Sequence, residues 1–423
     1  MCGIAGIINL QAEELKTSNI KKMLDTLEPR GPDATSWITV SKENSRKFYI
    51  SNKSGNNVEN TKLSMGTARL SIIDTSNNGL QPMMDDTKNI ITVFNGEIYN
   101  YKEIRNKLVK LGCKFKSKSD SEIIPHAFKL WKENSFNMFN GQFAIAIFDF
   151  NKNELILLRD RLGVKPLFFY KTDKNSIVFG SEIKSILASF KKLPNHNLTK
   201  IINKISLPYK LQTLGNNTFF DKIFKVPPGC FLKFKINNPI FKRKYWDFPK
   251  PHTINKLNYI NSKRTIKQLF FDSIKIRLNA DRPLAFILSG GIDSSSIAGI
   301  AKKYFNIDSE AFSLNLPDAR FNENKQIKET LDFLKIKGNF IDVSHTDVLN
   351  ITPNLINIYD EPVPTPNGIL HCLLANKIAE RGYRVALNGV GGDEIFLGYH
   401  DHFLYYLYNL EKKDYKRFLI EKD

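Results

Sequence analysis

The chain reads as two fold classes in succession. A layered α+β half runs to about residue 190, and an α/β half with a doubly wound, mostly parallel sheet starts near Ser262. Three observations predict this. In the first half, short apolar runs of strand length are separated by turn residues and interrupted by only two helical stretches. In the second half strands and helices alternate, the pattern of repeated βα units. Between them composition turns irregular, with turn signals at Pro227-Pro228-Gly229 and Asn237-Asn238-Pro239, and Pro249 to Asn261 reads as a linker. The expected domains are therefore 2–190 and 262–423, with 191–261 as a connecting segment.

Apolar and β-branched runs predict strands at Ile4 to Ile8, Leu70 to Ile73, Ile90 to Phe94, Phe143 to Phe150, Glu154 to Leu158, Leu167 to Tyr170 and Ile177 to Phe179. Helical spacing predicts Lys102 to Leu111 and Ser121 to Trp131. Further on, a helix at Ser262 to Asn279 leads to the strand Pro283 to Leu288, a Gly-rich turn and a helix ending near Phe305. The strand Ala311 to Leu316, a helix at Glu323 to Leu334 and the strand Asn339 to Val343 follow. Helices near Asp347 to Tyr359 and Asn367 to Arg381 precede the strand Arg384 to Leu387. Ligands of such sheets bind beyond the C-terminal ends of the strands.

With 423 residues, 42% hydrophobic and 25% charged, the composition is that of an ordinary water-soluble protein of two or more domains. No apolar run reaches the ~18 residues of a membrane span. The start lacks a basic segment followed by a cleavable apolar core, so the cytoplasm is the expected location. The four cysteines, Cys2, Cys113, Cys230 and Cys372, lack CxxC spacing, which argues against a zinc site and a disulfide framework. The net charge of +19 is spread through Lys, Asn and Ile repeats rather than gathered on one element, so no nucleic-acid partner is expected.

Cys2 carries the most specific chemistry. Removal of Met1 would give it a thiol and a free α-amine, a nucleophile and a base on one residue, since such an amine titrates near ~7.7 to 8.0. Taken alone, Met-Cys is also an ordinary chain start. Asn95 and Gly96, after a strand in Phe94-Asn95-Gly96-Glu97-Ile98-Tyr99-Asn100, offer a side-chain amide and a backbone N–H to a developing oxyanion. The same pair is equally a turn. Arg69 could clamp a carboxylate in a bidentate fork or make a surface ion pair. Asp120 could receive an ammonium or cap the helix that follows it. Later, Leu288-Ser289-Gly290-Gly291-Ile292-Asp293-Ser294-Ser295 joins a buried strand to a helix, with glycines and hydroxyls suited to phosphate and without the Gly-Lys-Ser of a Walker loop.

Together the motifs resemble the asparagine synthetase family: a class II glutamine amidotransferase domain followed by an ATP-pyrophosphatase domain. The first resemblance rests on Cys2-Gly3-Ile4, Arg30-Gly31-Pro32-Asp33, Arg69-Leu70-Ser71-Ile72, Asn95 to Asn100, Ser119-Asp120-Ser121-Glu122, Phe143-Ala144-Ile145-Ala146 and Arg159 to Leu167. It implies an αββα N-terminal-nucleophile hydrolase fold. It also implies Cys2 as nucleophile, Asn95 and Gly96 as the oxyanion hole, and a glutamine site of Arg69, Leu70, Ser71, Ile72, Ile73, Asn95, Gly96, Glu97 and Asp120. Arg159 to Leu167 has no chemistry legible in its residues. The second resemblance rests on Leu288 to Ser295 and Leu387-Asn388-Gly389-Val390-Gly391-Gly392-Asp393-Glu394-Ile395-Phe396. It implies ATP at Leu288, Ser289, Gly290, Gly291, Asp293, Ser294, Ser295, Leu314, Asn388 and Gly389, with Mg2+ on Asp293 and Asp393, and Asp360-Glu361-Pro362 at the mouth of that site.

The implied enzyme is a carbon–nitrogen ligase using glutamine as nitrogen donor and ATP to activate aspartate or another carboxylate. It would have no membrane partner, and its family allows a homodimer. The chain departs from the pattern at Val390, where asparagine synthetases commonly carry an acidic residue. It also ends at Asp423, before the helical part in which family members place a catalytic lysine. Those departures leave open a sugar carboxylate as acceptor, or a synthetase-impaired glutaminase or regulatory protein.

Overall fold

The structure, a computed structural model, describes residues 1–10, 16–41, 46–50, 61–173, 176–207, 215–235, 238–250, 258–363, 365 and 367–422. Its contacts divide the chain into two compact units, 1–258 with 353–364, and 259–352 with 365–423. Among the described residues no helix is long and apolar enough to cross a membrane.

The first unit contains thirteen strands among its described residues: β1 Gly3–Asn9, β2 Ala34–Ser41, β3 Arg46–Ile50, β4 Thr61–Arg69, β5 Met83–Met84, β6 Ile90–Ile98, β7 Gly141–Asp149, β8 Glu154–Arg159, β9 Phe168–Lys171, β10 Ser176–Gly180, β11 Ile223–Lys225, β12 Cys230–Phe234 and β13 Phe241–Lys244. They form two antiparallel sheets, ordered β11-β9-β10-β1-β4-β2-β3 and β13-β12-β8-β7-β6-β5. The helices include α1 Ile20–Asp25, α2 Tyr101–Lys110, α3 Ile123–Trp131, α4 Asn134–Met138, α5 Ile183–Leu187 and α6 Leu198–Ser206.

Strand β1 shows why the sheets stack. Successive side chains of a strand point to opposite faces. Ile4 and Ile8 accordingly join Val93, Ala146 and Leu157 between the sheets, while Ala5 and Ile7 face Met23, Leu24, Ile183 and Ile186 of α1 and α5. In β7, Ala144 and Ala146 enter the same central core, and Phe143 and Ile145 meet Ile104, Ile124 and Phe128 of α2 and α3. Both sheets are thus covered on both faces, giving the expected αββα layering.

Several sequence expectations shift. Leu70 to Ile73 is a loop rather than a strand, because β4 ends at Arg69 and the next backbone donors go to side chains: Leu70 N–H to Cys2 Sγ at 3.4 Å and Ser71 N–H to Asp33 at 2.8 Å. Residues 191–261 are more than a connection, since β12 pairs with β8 and β11 with β9. Parts of the irregular and linker stretches, 208–214, 236–237 and 251–257, lie outside the described residues.

The second unit carries β14 Leu284–Ile287, β15 Ala311–Asn315, β16 Gly338–Asp342 and β17 Val385–Leu387. All are parallel, in the order β16-β15-β14-β17. Helices α7 Tyr259–Arg277, α8 Ile292–Phe305 and α9 Asn324–Leu334 bury Ile274, Ala298, Ala301 and Leu331 on one face of the sheet. After α10 His345–Tyr359, α11 Asn367–Glu380 buries Leu374 and Ile378 on the other face. The sheet is therefore doubly wound. Chain order reverses between β14 and β17, the switch point beside which such sheets bind ligands. Short α12 Gly392–Phe396 follows β17, and α13 His400–Lys413 and α14 Tyr415–Glu421 complete the unit.

Candidate active site

A pocket of about 490 Å³, counted with its open mouth, lies at the start of β1. Its lining includes Cys2, Arg69, Leu70, Ile72, Ile73, Asn95, Gly96, Glu97 and Asp120. Of the glutamine-site residues expected from sequence, only Ser71 falls outside the lining. It is buried behind the wall, where its N–H is held by Asp33.

Cys2 is anchored from both sides. Its thiol donates to Leu70 O at 3.6 Å, and its carbonyl accepts from Arg30 Nε at 3.1 Å. Arg30 is in turn paired with Glu182 at 2.8 Å, and Glu182 with Lys184 at 2.9 Å. Burial pushes the Cys2 thiol up, opposed by the terminal ammonium and the Leu70 hydrogen bond. Met1 is present, so the α-amine here belongs to Met1 and stands in for the amine that Cys2 would carry after processing. Burial lowers that amine to about 6.

Asn95 lines the same pocket as the thiol and is fully buried, with neither its Nδ2 nor its Oδ1 hydrogen-bonded to the protein. Leaving such an amide unpaired costs ~1–3 kcal/mol per group. Gly96 is required by its backbone: φ is +148°, and a Cβ would lie 2.0 Å from Gln142 O. Gly96→Ala is expected to destabilise the first unit by about 3 kcal/mol or more, from strain plus overpacking, read as a lower urea midpoint.

The charged walls are equally determined. Arg69 is buried, its Nη1 donating to Ser76 O at 3.1 Å and its Nη2 to Asp74 O, so the 73–79 loop wraps its guanidinium. Gly79 is needed there, because a Cβ would meet Arg69 Nη2 at 2.2 Å. Asp120 accepts from Ile98 N–H at 3.0 Å rather than capping a helix, and burial with the Glu97 charge raises it to about 7.

Two lining residues escaped the sequence reading. Gln81 pairs through its side-chain amide with both backbone groups of Phe94, at 3.0 and 2.7 Å, fixing the strand just before Asn95. Lys165 comes from the motif that had no legible chemistry. Asp160 there accepts from the N–H groups of Phe143, Leu162, Val164 and Lys165 at 2.9 to 3.1 Å. Arg159 bonds the carbonyls of Gly163, Lys165 and Val226. The loop is wound about its own two charges, and Lys165 projects from it into the pocket.

In the second unit, the expected nucleotide residues lie after β14 and β17. Ser294 Oγ contacts Ser289 Oγ at 3.0 Å, Gly291 starts the turn into α8, and Gly389 packs against Asp293 and Ser294. Leu288 is buried below the loop and Leu314 half-buried on β15. Glu323, which the sequence reading missed, accepts from Gly290 N–H at 2.9 Å, so a carboxylate engages a loop amide suited to phosphate. Asp293 and Asp393 converge: burial and then the Asp393 and Glu394 charges push Asp293 up, and a Cβ on Gly392 would sit 2.0 Å from Asp293 Oδ2. Two carboxylates beside a phosphate-sized turn fit Mg2+, which keeps substrate oxygens among its ligands. Among the described residues no cluster of three or more ligating side chains forms a protein-only metal cage. Asp360 and Glu361, expected at the mouth of this site, pair with Lys184 (3.6 Å) and Lys225 (2.9 Å), and all four residues lie in the first unit. Val390 is 71% exposed.

The αββα layering with a cysteine at the start of its central strand is that of the N-terminal-nucleophile class of glutamine amidotransferases, and it is followed in the chain by a doubly wound parallel-sheet unit. Family comparison agrees. The model described as "Glutamine amidotransferase domain" matches residues 51–246, and that described as "Asparagine synthase" matches 265–419. A Methanocaldococcus jannaschii relative named for glutamine-hydrolysing asparagine synthetase is 31% identical over 95% of this chain and 76% of its own length. Asparagine synthetase 1 of Bacillus subtilis is 30% identical over 94% of this chain and 59% of its own. Amidase chry2 of Gibberella zeae is 30% identical over 92% of this chain and 55% of its own. The chain thus spans between about half and three quarters of these relatives. It belongs to the glutamine-hydrolysing asparagine synthetase family.

Proposed function

We propose that the protein hydrolyses glutamine at Cys2 and uses the ammonia to amidate an ATP-activated carboxylate, with aspartate as the first candidate. The observation that carries the glutaminase half is the buried, unpartnered Asn95 amide in the pocket that the Cys2 thiol lines. After Met1 removal, Cys2 Sγ attacks the side-chain amide carbon of glutamine. The α-amine takes the thiol proton and passes it to the departing ammonia, and water then cleaves the thioester. Asn95 Nδ2 and the Gly96 N–H receive the oxyanion, while Arg69 and Asp120 hold the substrate α-carboxylate and α-ammonium. In the second unit, Asp293 and Asp393 would hold Mg2+ against the phosphates at Ser289 to Ser295. ATP supplies the adenylation that makes a carboxylate reactive, with release of pyrophosphate. Glutamine-dependent pyrophosphate release with aspartate tests this, and its absence would refute the aspartate assignment.

A second reading, amidation of another carboxylate such as a uronic acid, is favoured by Val390. This side chain neither ionises nor accepts a proton, and relatives of similar identity are named amidases. The same assay with uronic acids separates the two.

Asp120 gives this site a pH signature. A folded carboxyl raised from 3.8 to about 7 binds more protons than the unfolded one across that window. Stability therefore falls as pH rises through it, and the penalty is absent below it. The Tm of Asp120→Asn relative to wild type should become more positive from pH 4 to pH 7. Because the ammonium of glutamine is matched by the ionised form, wild-type KM should fall as pH passes 7. In Asp120→Asn it should stay high, by roughly 10 to 100-fold.

A further inference from the structure

We infer that Lys165 is a positioning residue of the glutaminase site, a cation that favours loss of a proton from the thiol and terminal amine of processed Cys2. The inference rests on the glutaminase reading and adds a residue to it.

Lys165 lines the same pocket as Cys2, and its Nζ donates to Met1 Sδ at 3.0 Å. A thioether is a weak acceptor, and it belongs to the residue whose removal creates the reactive amine. Cleavage of Met1 therefore takes away this contact and leaves the ammonium facing the new terminus. The loop wound on Arg159 and Asp160 holds the lysine backbone in place. Among the described residues Lys165 makes no ion pair, whereas the neighbouring cation Arg30 is paired with Glu182 at 2.8 Å.

The charged groups facing the amine and thiol are Arg30 before β2, Arg69 at the end of β4, Glu97 on β6, Asp120 before α3, and Lys165. Burial is the largest influence on the terminal amine and lowers it, the Cys2 thiol comes next and raises it, Arg30 and then Lys165 lower it, and Glu97 raises it. Lys165 is itself lowered by burial and raised by Glu97. A cation beside a thiol and an amine favours loss of a proton from either. The sign is the same whichever microscopic form reacts.

The test is the pH dependence of Cys2 alkylation by iodoacetamide, followed on the N-terminal peptide by mass spectrometry, which needs no substrate and so is free of Asp120 binding effects. Lys165→Gln should move the midpoint up by about one pH unit, so alkylation at a fixed pH below it slows about tenfold. Lys165→Arg should keep the wild-type midpoint. In the two variants kcat at saturating glutamine should follow the same pattern. An unshifted Lys165→Gln midpoint, or an equal shift in Lys165→Arg, overturns the proposal. Should Lys165→Gln fail to fold, Lys165→Met fills the same volume. A lysine-dependent midpoint in a wild type that cannot hydrolyse glutamine would support the role of Lys165 and contradict only the glutaminase reading.

Discussion

Cys2→Ala should lower glutamine-dependent turnover by about 10³-fold or more, the scale on which loss of a covalent nucleophile registers, and leave ammonia-dependent amidation unchanged. The asymmetry follows from where the thiol sits. Its partners are Leu70 and the Met1 terminus in the first unit, while the phosphate-type turn, Asp293 and Asp393 lie in the second. Alanine is small enough for Met1 still to be removed, so the amine persists and only the sulfur is lost. Two thiol hydrogen bonds disappear at a stability cost of about 1 kcal/mol each at most. Measuring glutamate release, and pyrophosphate release with glutamine or with ammonium chloride, checks both halves. Loss of the ammonia-driven reaction as well would contradict two separate sites.

Asn95→Leu should cut glutaminase kcat by about 10² to 10³-fold, the cost of one oxyanion donor, without lowering Tm. Few buried polar residues allow that combination. The amide is fully buried, and both its heteroatoms lack a protein partner. The fold therefore carries a desolvation penalty with no hydrogen bond to offset it, and an apolar residue of similar volume removes that penalty. An increase of up to about 1–3 kcal/mol in unfolding free energy is expected. A variant that loses stability along with activity would mean that Asn95 is structural, with a partner formed only in solution.

Legibility differed between the units for physical reasons. The two central parallel strands of the second unit, β14 and β15, are largely buried on both faces and short, so Leu284 to Ile287 and Ala311 to Asn315 stand out as apolar runs between helices. In the first unit, β2 and β4 were not anticipated. They carry buried Ser36, Thr39, Ser64 and Thr67, and Thr39 and Ser64 satisfy each other across the strands at 2.9 Å. Hydroxyl-rich strands look like loops until the partner strand supplies the hydrogen bond. The converse error, Leu70 to Ile73, has strand composition, but its donors are taken by Cys2 and Asp33. Gln81 and Lys165 were missed because neither has local chemistry. One acts by pairing with Phe94 and the other by facing Met1.

The residue types and spacing of Cys2, Arg69, Asn95-Gly96 and Asp120, and of the two glycine-rich turns, were enough by themselves to point to the family and, through that resemblance, to the αββα class, while the alternation of strands and helices gave the parallel-sheet class. Those are properties of identity and order along the chain. Tertiary structure alone decided which of several open roles each residue takes. Arg69 is a buried cation wrapped by carbonyls, Asp120 receives a backbone N–H in a protein interior that raises its pKa, and the Asn95 amide is left without a partner. The reason is that burial, unsatisfied polarity and the summed field at a pocket depend on groups far apart in sequence, here as distant as Met1 and Lys165.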